Sequence, residues 1–87
     1  MISIIIPVYN EVESLEILHN EILAVASEYH LNLEILFVDD GSLDGSWKTI
    51  KKLSEMHSNT KGIRFRRNFG KAAALSAGFQ AAQGEIS

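Results

Sequence analysis

The chain has 87 residues, 46% of them hydrophobic, a formal charge of −3 and no cysteine. That length is one small domain or a part of a larger one, and the missing thiols exclude a disulfide framework and a thiolate metal site while favouring a reducing, cytoplasmic setting. The opening run Met1-Ile2-Ser3-Ile4-Ile5-Ile6-Pro7 lacks a basic flank and is too short for a signal peptide or a bilayer span, so the chain reads as soluble.

Ile2 to Ile6, closed by Pro7, is a short apolar run that suits a strand buried on both faces. From Glu11 to His30 the apolar residues Leu15, Leu18, Ile22, Val25, Ala26 and Tyr29 fall at helical spacing, with Glu11, Glu13 and Glu16 at the helix's positive end. Leu33 to Val38 predicts a second strand; Asp39 to Gly45 supplies turn chemistry, with Ser42 or Asp44 placed to cap the next helix. Trp47, Ile50, Leu53 and His57 carry a second helical stripe, which ends at Ser58-Asn59-Thr60. Gly62 to Arg66 predicts a third strand, Lys71 to Gln83 an alanine-rich helix stopped by Gly84, and Glu85-Ile86-Ser87 the start of a fourth strand. Alternation of strand and helix with short connections gives an α/β fold, a Rossmann-like parallel sheet with helices on both faces.

Ligands of such sheets bind outside the carboxyl ends of the strands. The loops Pro7 to Glu11, Asp39 to Ser42 and Arg67 to Lys71 are therefore expected at one rim, over one cleft. Adjacent carboxylates there can accept from a base or ribose, hold a hard cation, or cap a helix. Because successive residues of an extended chain point opposite ways, Asp39 and Asp40 are expected to do different jobs, one facing the cleft and one holding the loop. Tyr9 can stack on a base or cover the sheet edge, and Glu11 can meet a ligand or serve only as a first-turn acid. Gly70-Lys71 opens a helix where backbone N–H groups and an ammonium can meet a phosphate. Neither a Walker A pattern nor G-x-G-x-x-G is present, which sets aside ordinary nucleotide hydrolases and dinucleotide binders.

The charges are unevenly spread. No Lys or Arg precedes Lys48, whereas Lys61, Arg64, Arg66, Arg67 and Lys71 follow one another without an acid between them. The acidic front half argues against nucleic acid, and against an acidic membrane surface, as a partner. His19, His30 and His57 are isolated in sequence and lack metal-ligand spacing, and Trp47 belongs to the buried stripe of its helix.

"SIIIPVYNE", "EILFVDDGSLDGS" and "RRNFGKAAALSAGF", in this order and spacing, closely resemble the N-terminal part of family 2 glycosyltransferases with the glycosyltransferase-A fold. The last motif is similar to the branch of dolichol-phosphate mannose synthases and polyprenyl-phosphate glycosyltransferases. The resemblance covers practically the whole chain and implies strand order 3-2-1-4. It implies a UDP- or GDP-sugar donor, a divalent cation (Mg or Mn), and inverting transfer to a polyprenyl-phosphate or glycan acceptor at the cytoplasmic face of a membrane. By matching position, Pro7, Tyr9 and Glu11 would line the nucleoside pocket, Asp39 would bind the base, Asp40 would support the ribose side or the loop, and Asn68, Gly70 and Lys71 would lie toward the phosphates. Family members continue into an Asp-x-Asp strand end that holds the metal. Residues 1–87 are thus expected to be the nucleotide-sugar-binding half, without catalytic or metal-binding residues of their own and inactive alone. A non-enzymatic nucleotide-binding or scaffold fragment is the alternative, and a strand one left without its fourth-strand neighbour would favour self-association.

Overall fold

The computed structural model describes residues 1–86, so Ser87, expected in the last strand, lies outside the described residues. Seven elements succeed one another in chain order: β1 Ile2–Val8, α1 Val12–Glu28, β2 Leu33–Asp39, α2 Ser46–Met56, β3 Thr60–Arg64, α3 Lys71–Ala81 and β4 Glu85–Ile86. The strands form one sheet in the order β3-β2-β1-β4, and every pairing is parallel. This is the expected order, and the fold is the Rossmann-like one expected from the alternation of elements.

β2 lies between two neighbours and under helices on both faces, and all seven of its residues are buried. Val8, Leu15, Ile35, Phe37, Ile50 and Leu53 make the core on the α1 and α2 side, with Ile6, Ile22, Leu23 and Trp47 packed against it. Ile5 points the other way, by strand alternation, and meets α3 at Gly78, where a methyl group would collide with the Ile5 side chain. Glycine in mid-helix costs about 1 kcal/mol against alanine; here it lets α3 settle directly on the sheet.

Pro7 is inside β1 rather than at its end, in register with Val38. Ile2 donates its N–H to Asn32 O at 2.9 Å, and Val8 O accepts from Asp40 N at 2.8 Å. Even-numbered residues of β1 therefore address β2, and Pro7 addresses the opposite side, where its missing N–H removes no rung of the β2 ladder. β3 begins two residues earlier than expected and ends earlier, at Arg64, because Thr60 already pairs with Ile35. Phe65 makes the last rung, donating to Asp39 O at 2.8 Å, as the chain turns out of the sheet.

At the amino ends of the strands the fold is tied by a carboxylate that the sequence pattern does not single out. Glu34 is buried. Its Oε1 accepts from Ser3 Oγ at 2.7 Å and Gln83 N at 2.8 Å, and its Oε2 accepts from Lys61 Nζ at 2.8 Å. Ser3 Oγ in turn accepts from Gly84 N at 2.9 Å. One side chain of β2 thereby joins β1, β3 and the segment leading into β4. The Gln83 N–H first, then the Lys61 ammonium, hold its carboxyl down at about 2.

The histidines do not all stay apart, contrary to the sequence reading. His19 is fully buried, with Nε2 2.7 Å from Thr60 Oγ1 and its ring centroid 4.8 Å from that of His57. Burial, and then the neighbouring His57, push its pKa below the ordinary value. The unfolded chain takes up the proton first, so this site opposes folding increasingly as pH falls below the ordinary histidine range.

β4 pairs with β1 only at Ile2 and Ser3. Among the described residues, no strand lies on the side of β1 away from β2 along the stretch from Ile4 to Pro7. Ile4 of this stretch, with Leu18, Glu21, Ile22, Val25, Leu31 and Leu33, lines a mostly apolar groove of about 290 Å³. No described helix is long and apolar enough to cross a membrane.

Candidate functional site

The three predicted loops meet at the carboxyl ends of the strands. The first two are locked together. Asn10 N donates to Ser42 Oγ at 2.9 Å, and Leu43 N donates back to Asn10 Oδ1 at 2.8 Å. Glu11 N donates to Ser46 Oγ at 3.0 Å. Asp44 accepts from Ser46 N at 2.8 Å and from Val12 N at 3.3 Å, so it serves the first residues of both α2 and α1. The Ser46 hydroxyl first, then the N–H groups of Ser46 and Val12, hold the Asp44 carboxyl below its usual range. Ser42, expected as a cap for α2, instead faces the first loop. Asn10 adopts φ 52, in the left-handed region that asparagine tolerates better than most residues.

The third loop hangs from Asp40. Its Oδ1 accepts from Phe69 N at 2.7 Å and its Oδ2 from Gly70 N at 3.0 Å, and the side chain is almost wholly buried. Gly41 fits between the second and third loops with φ +77, and a Cβ there would run into the backbone of Arg67 and Asn68. Asp39 points to the other face. It is fully buried, with Oδ1 accepting from Ser42 N at 3.0 Å, and its Oδ2 has no hydrogen-bond partner in the protein. A buried carboxylate oxygen left without a donor costs more than a satisfied one gains.

Pro7, Val8, Tyr9, Glu11, Asp40 and Lys71 line one cleft of about 360 Å³. The structure thus brings together Pro7, Tyr9, Glu11, Asp40 and Lys71 of the residues expected from sequence. Gly70 adjoins them through its bond to Asp40, Asp39 lies beneath the surface, and Asn68 stays exposed on the third loop, off the cleft wall. On the far side of Glu11 a second, polar hollow of about 510 Å³ opens at the start of α1, lined by Asn10, Glu11, Val12, Glu13, Ser14 and Asp44. Sequence reasoning gave no task to Asn10, Ser46 or Asp44 as clamps between loops; an asparagine directly before a helix was the only local signal.

Among the described residues no three His, Asp or Glu side chains converge as a metal cage. Both oxygens of Asp40 and one of Asp39 are already engaged by backbone N–H groups. The acids of this rim do not fit a divalent cation, and no chemical step is assigned to one here.

The whole of this architecture is shared with known proteins. The model of the family described as "Glycosyl transferase family 2" matches residues 3–86. The chain belongs to glycosyl transferase family 2. It is 45% identical over 85 residues to CsbB of Bacillus subtilis, named as a glycosyltransferase, covering 98% of this chain and 26% of that one. It is 38% identical over 87 residues to an undecaprenyl-phosphate 4-deoxy-4-formamido-L-arabinose transferase of Aeromonas hydrophila, covering 99% of this chain and 27% of that protein. A solved structure, the mannosyltransferase PcManGT from Pyrobaculum calidifontis in complex with GDP-Man and Mn2+, superposes with a TM-score of 0.79 at 27% identity, over 98% of this chain and 25% of the other. The chain spans about a quarter of the length of these glycosyltransferases, and its sheet corresponds to the N-terminal, Rossmann-like part of the glycosyltransferase-A fold.

Proposed function

We propose that residues 1–87 form the donor-binding part of a glycosyltransferase that moves a sugar, with inversion, from a UDP- or GDP-sugar to a polyprenyl phosphate. The observation that carries this reading is the cleft at the strand ends, in which Tyr9, Glu11 and Asp40 face the first residue of α3, Lys71. The Oδ2 of Asp39, buried below the rim without a partner in the protein, supports a role in accepting from the base. Pro7 and Tyr9 would flank the nucleoside, and Glu11 would accept from its hydroxyls. Gly70 and Lys71 lie toward the phosphates, where the α3 N-terminus and the ammonium favour negative charge, and Asn68 edges the same loop. The solved mannosyltransferase is named with GDP-Man and Mn2+, and a relative is named for transfer to undecaprenyl phosphate. The first name agrees with a nucleotide-sugar donor and the second with a lipid-phosphate acceptor, which would place the reaction at the cytoplasmic membrane face. A divalent cation, Mg or Mn, would be held by residues outside this rim, so the 87-residue chain by itself is expected to bind donor without turning it over.

Titration calorimetry with uridine and guanosine diphosphates tests the reading. One of the two is expected to bind preferentially, and Asp39→Asn, which replaces an acceptor with a donor, is expected to weaken that binding about ten- to hundred-fold. Equal, feeble binding of both nucleotides, unchanged in the variant, would sink it.

The open edge of β1 supports a second expectation, self-association of the 87-residue chain through Ile4 to Pro7 and the adjoining apolar groove. Sedimentation equilibrium should show a mass rising with concentration; a constant monomer mass at the highest attainable concentration contradicts it.

A further inference from the structure

We infer that the turn between β3 and α3 is a docking surface for anionic lipid headgroups. This goes beyond donor binding and does not depend on it. Arg64, Phe65 and Arg66 line a shallow opening of about 270 Å³. Phe65 meets Phe69 edge to face at 5.7 Å, and the Arg67 guanidinium lies 4.8 Å from the Phe69 ring centroid. The three arginines and two aromatics therefore form one continuous patch. Phe69 is 55% exposed, and Leu43 at the same end of the sheet is 89% exposed.

Among the described residues no ion pair neutralises the patch, and Asp39, the sheet partner of Arg64, is buried. No Asp or Glu occurs between Glu55 and Glu85. The ion pairs among the described residues are Lys52 with Glu16 and Lys61 with Glu34, neither of which involves an arginine of the turn. Asp40, whose carboxylate holds this turn, is spent on the N–H groups of Phe69 and Gly70. Of the acids of the front half, which on composition argued against an anionic partner, Glu13, Glu16, Glu21 and Glu28 are carried by α1, Glu34 is bound at the opposite end of the sheet, and the first loop lies two strands from β3, about 10 Å away in sheet spacing.

A cationic turn tipped with exposed apolar side chains matches the boundary of a bilayer, where arginines meet phosphates and rings enter the headgroup layer. A single-stranded nucleic acid fits less well: bases need open aromatic faces, and Arg67 already covers Phe69 while Phe65 meets it edge to face. Docking here would also turn the neighbouring Lys71 cleft toward the bilayer.

The test is co-sedimentation of the chain with vesicles of phosphatidylcholine alone and of phosphatidylcholine mixed with phosphatidylglycerol. Binding is expected only to the mixed vesicles, and it should fall away between about 0.1 M and about 0.5 M salt as the charges are screened. Each arginine is expected to contribute about fivefold, so Arg66→Glu with Arg67→Glu should lower partitioning at least about twentyfold. Arg66→Lys with Arg67→Lys should keep most of the binding, and Lys48→Glu with Lys51→Glu, on α2, should leave it unchanged. Should the glutamate pair disturb folding by circular dichroism, Phe69→Ser and the salt series on the native chain decide instead, both expected to reduce binding. Equal binding to neutral vesicles, no binding to the mixed ones, equal losses from the α2 variants, or tighter binding of a single-stranded oligonucleotide at matched phosphate concentration would each overturn the proposal.

Discussion

Glu34→Ala is expected to destabilise the chain by about 3 kcal/mol, a large share of the roughly 5–15 kcal/mol that holds a small domain together. The change leaves Ser3 Oγ and Gln83 N without their acceptor and frees Lys61 at the amino end of the sheet. Lys61 is 44% exposed and contributes the smallest part of the loss, since water can take its place. The melting temperature should fall by roughly 12–24 °C for a domain of this size. The same carboxylate sets an acid limit. Its folded value of about 2 lies below the ordinary 4.5, so the unfolded chain binds the proton first; the stabilisation is complete above 4.5 and is lost as pH falls from there toward 2. Glu34→Gln should flatten that part of the pH profile while costing less than the alanine. Thermal melts across this range check both statements, and an unaltered melt for Glu34→Ala would show that the network contributes nothing.

Asp40→Ala is expected to release the third loop and to lower nucleoside diphosphate affinity about a hundredfold. Two charge-assisted hydrogen bonds, to Phe69 N and Gly70 N, are all that the carboxylate supplies, each worth about 1.5–3 kcal/mol. Part of that sum appears as lost stability and part as the cost of re-ordering the loop when ligand binds. Amide exchange separates the two: the Phe69 and Gly70 amides should lose their protection while those of β2 keep theirs. Retained protection at both amides would mean that the loop is held by something other than Asp40.

The architecture was legible because its signals are local. Apolar runs of strand length, the three-to-four spacing of α1 and α2, and turn residues between them place every element, and parallel order comes from alternation. The rim was legible for the same reason, since a parallel sheet sends all its strand-to-helix loops to one end. The remainder depends on partners far apart in sequence. Glu34 looks like a solvent-facing residue at the start of a strand, and only the approach of Ser3, Lys61 and Gln83 makes it a buried anchor. His19 lies on α1 and His57 just past the end of α2, and no spacing rule brings their rings to 4.8 Å. Pro7 reads as a stop because proline commonly is one; which side of a strand lacks a partner is a property of the sheet. The division of labour between Asp39 and Asp40 comes from strand alternation, but the hold of Asp40 on Phe69 and Gly70 does not.

The two sides of the cleft differ in mechanical character. The wall built from the first two loops is cross-braced at Asn10, Glu11 and Val12 by Ser42, Ser46 and Asp44, while the wall that carries Lys71 is suspended from one carboxylate beside a glycine at φ 98. The cleft is a vice with one fixed jaw and one sprung jaw. In the donor-binding reading, ordering the sprung side would take up part of a guest's binding energy, so that tightness of grip would be tuned through the β3 to α3 turn and selectivity of shape by the fixed jaw.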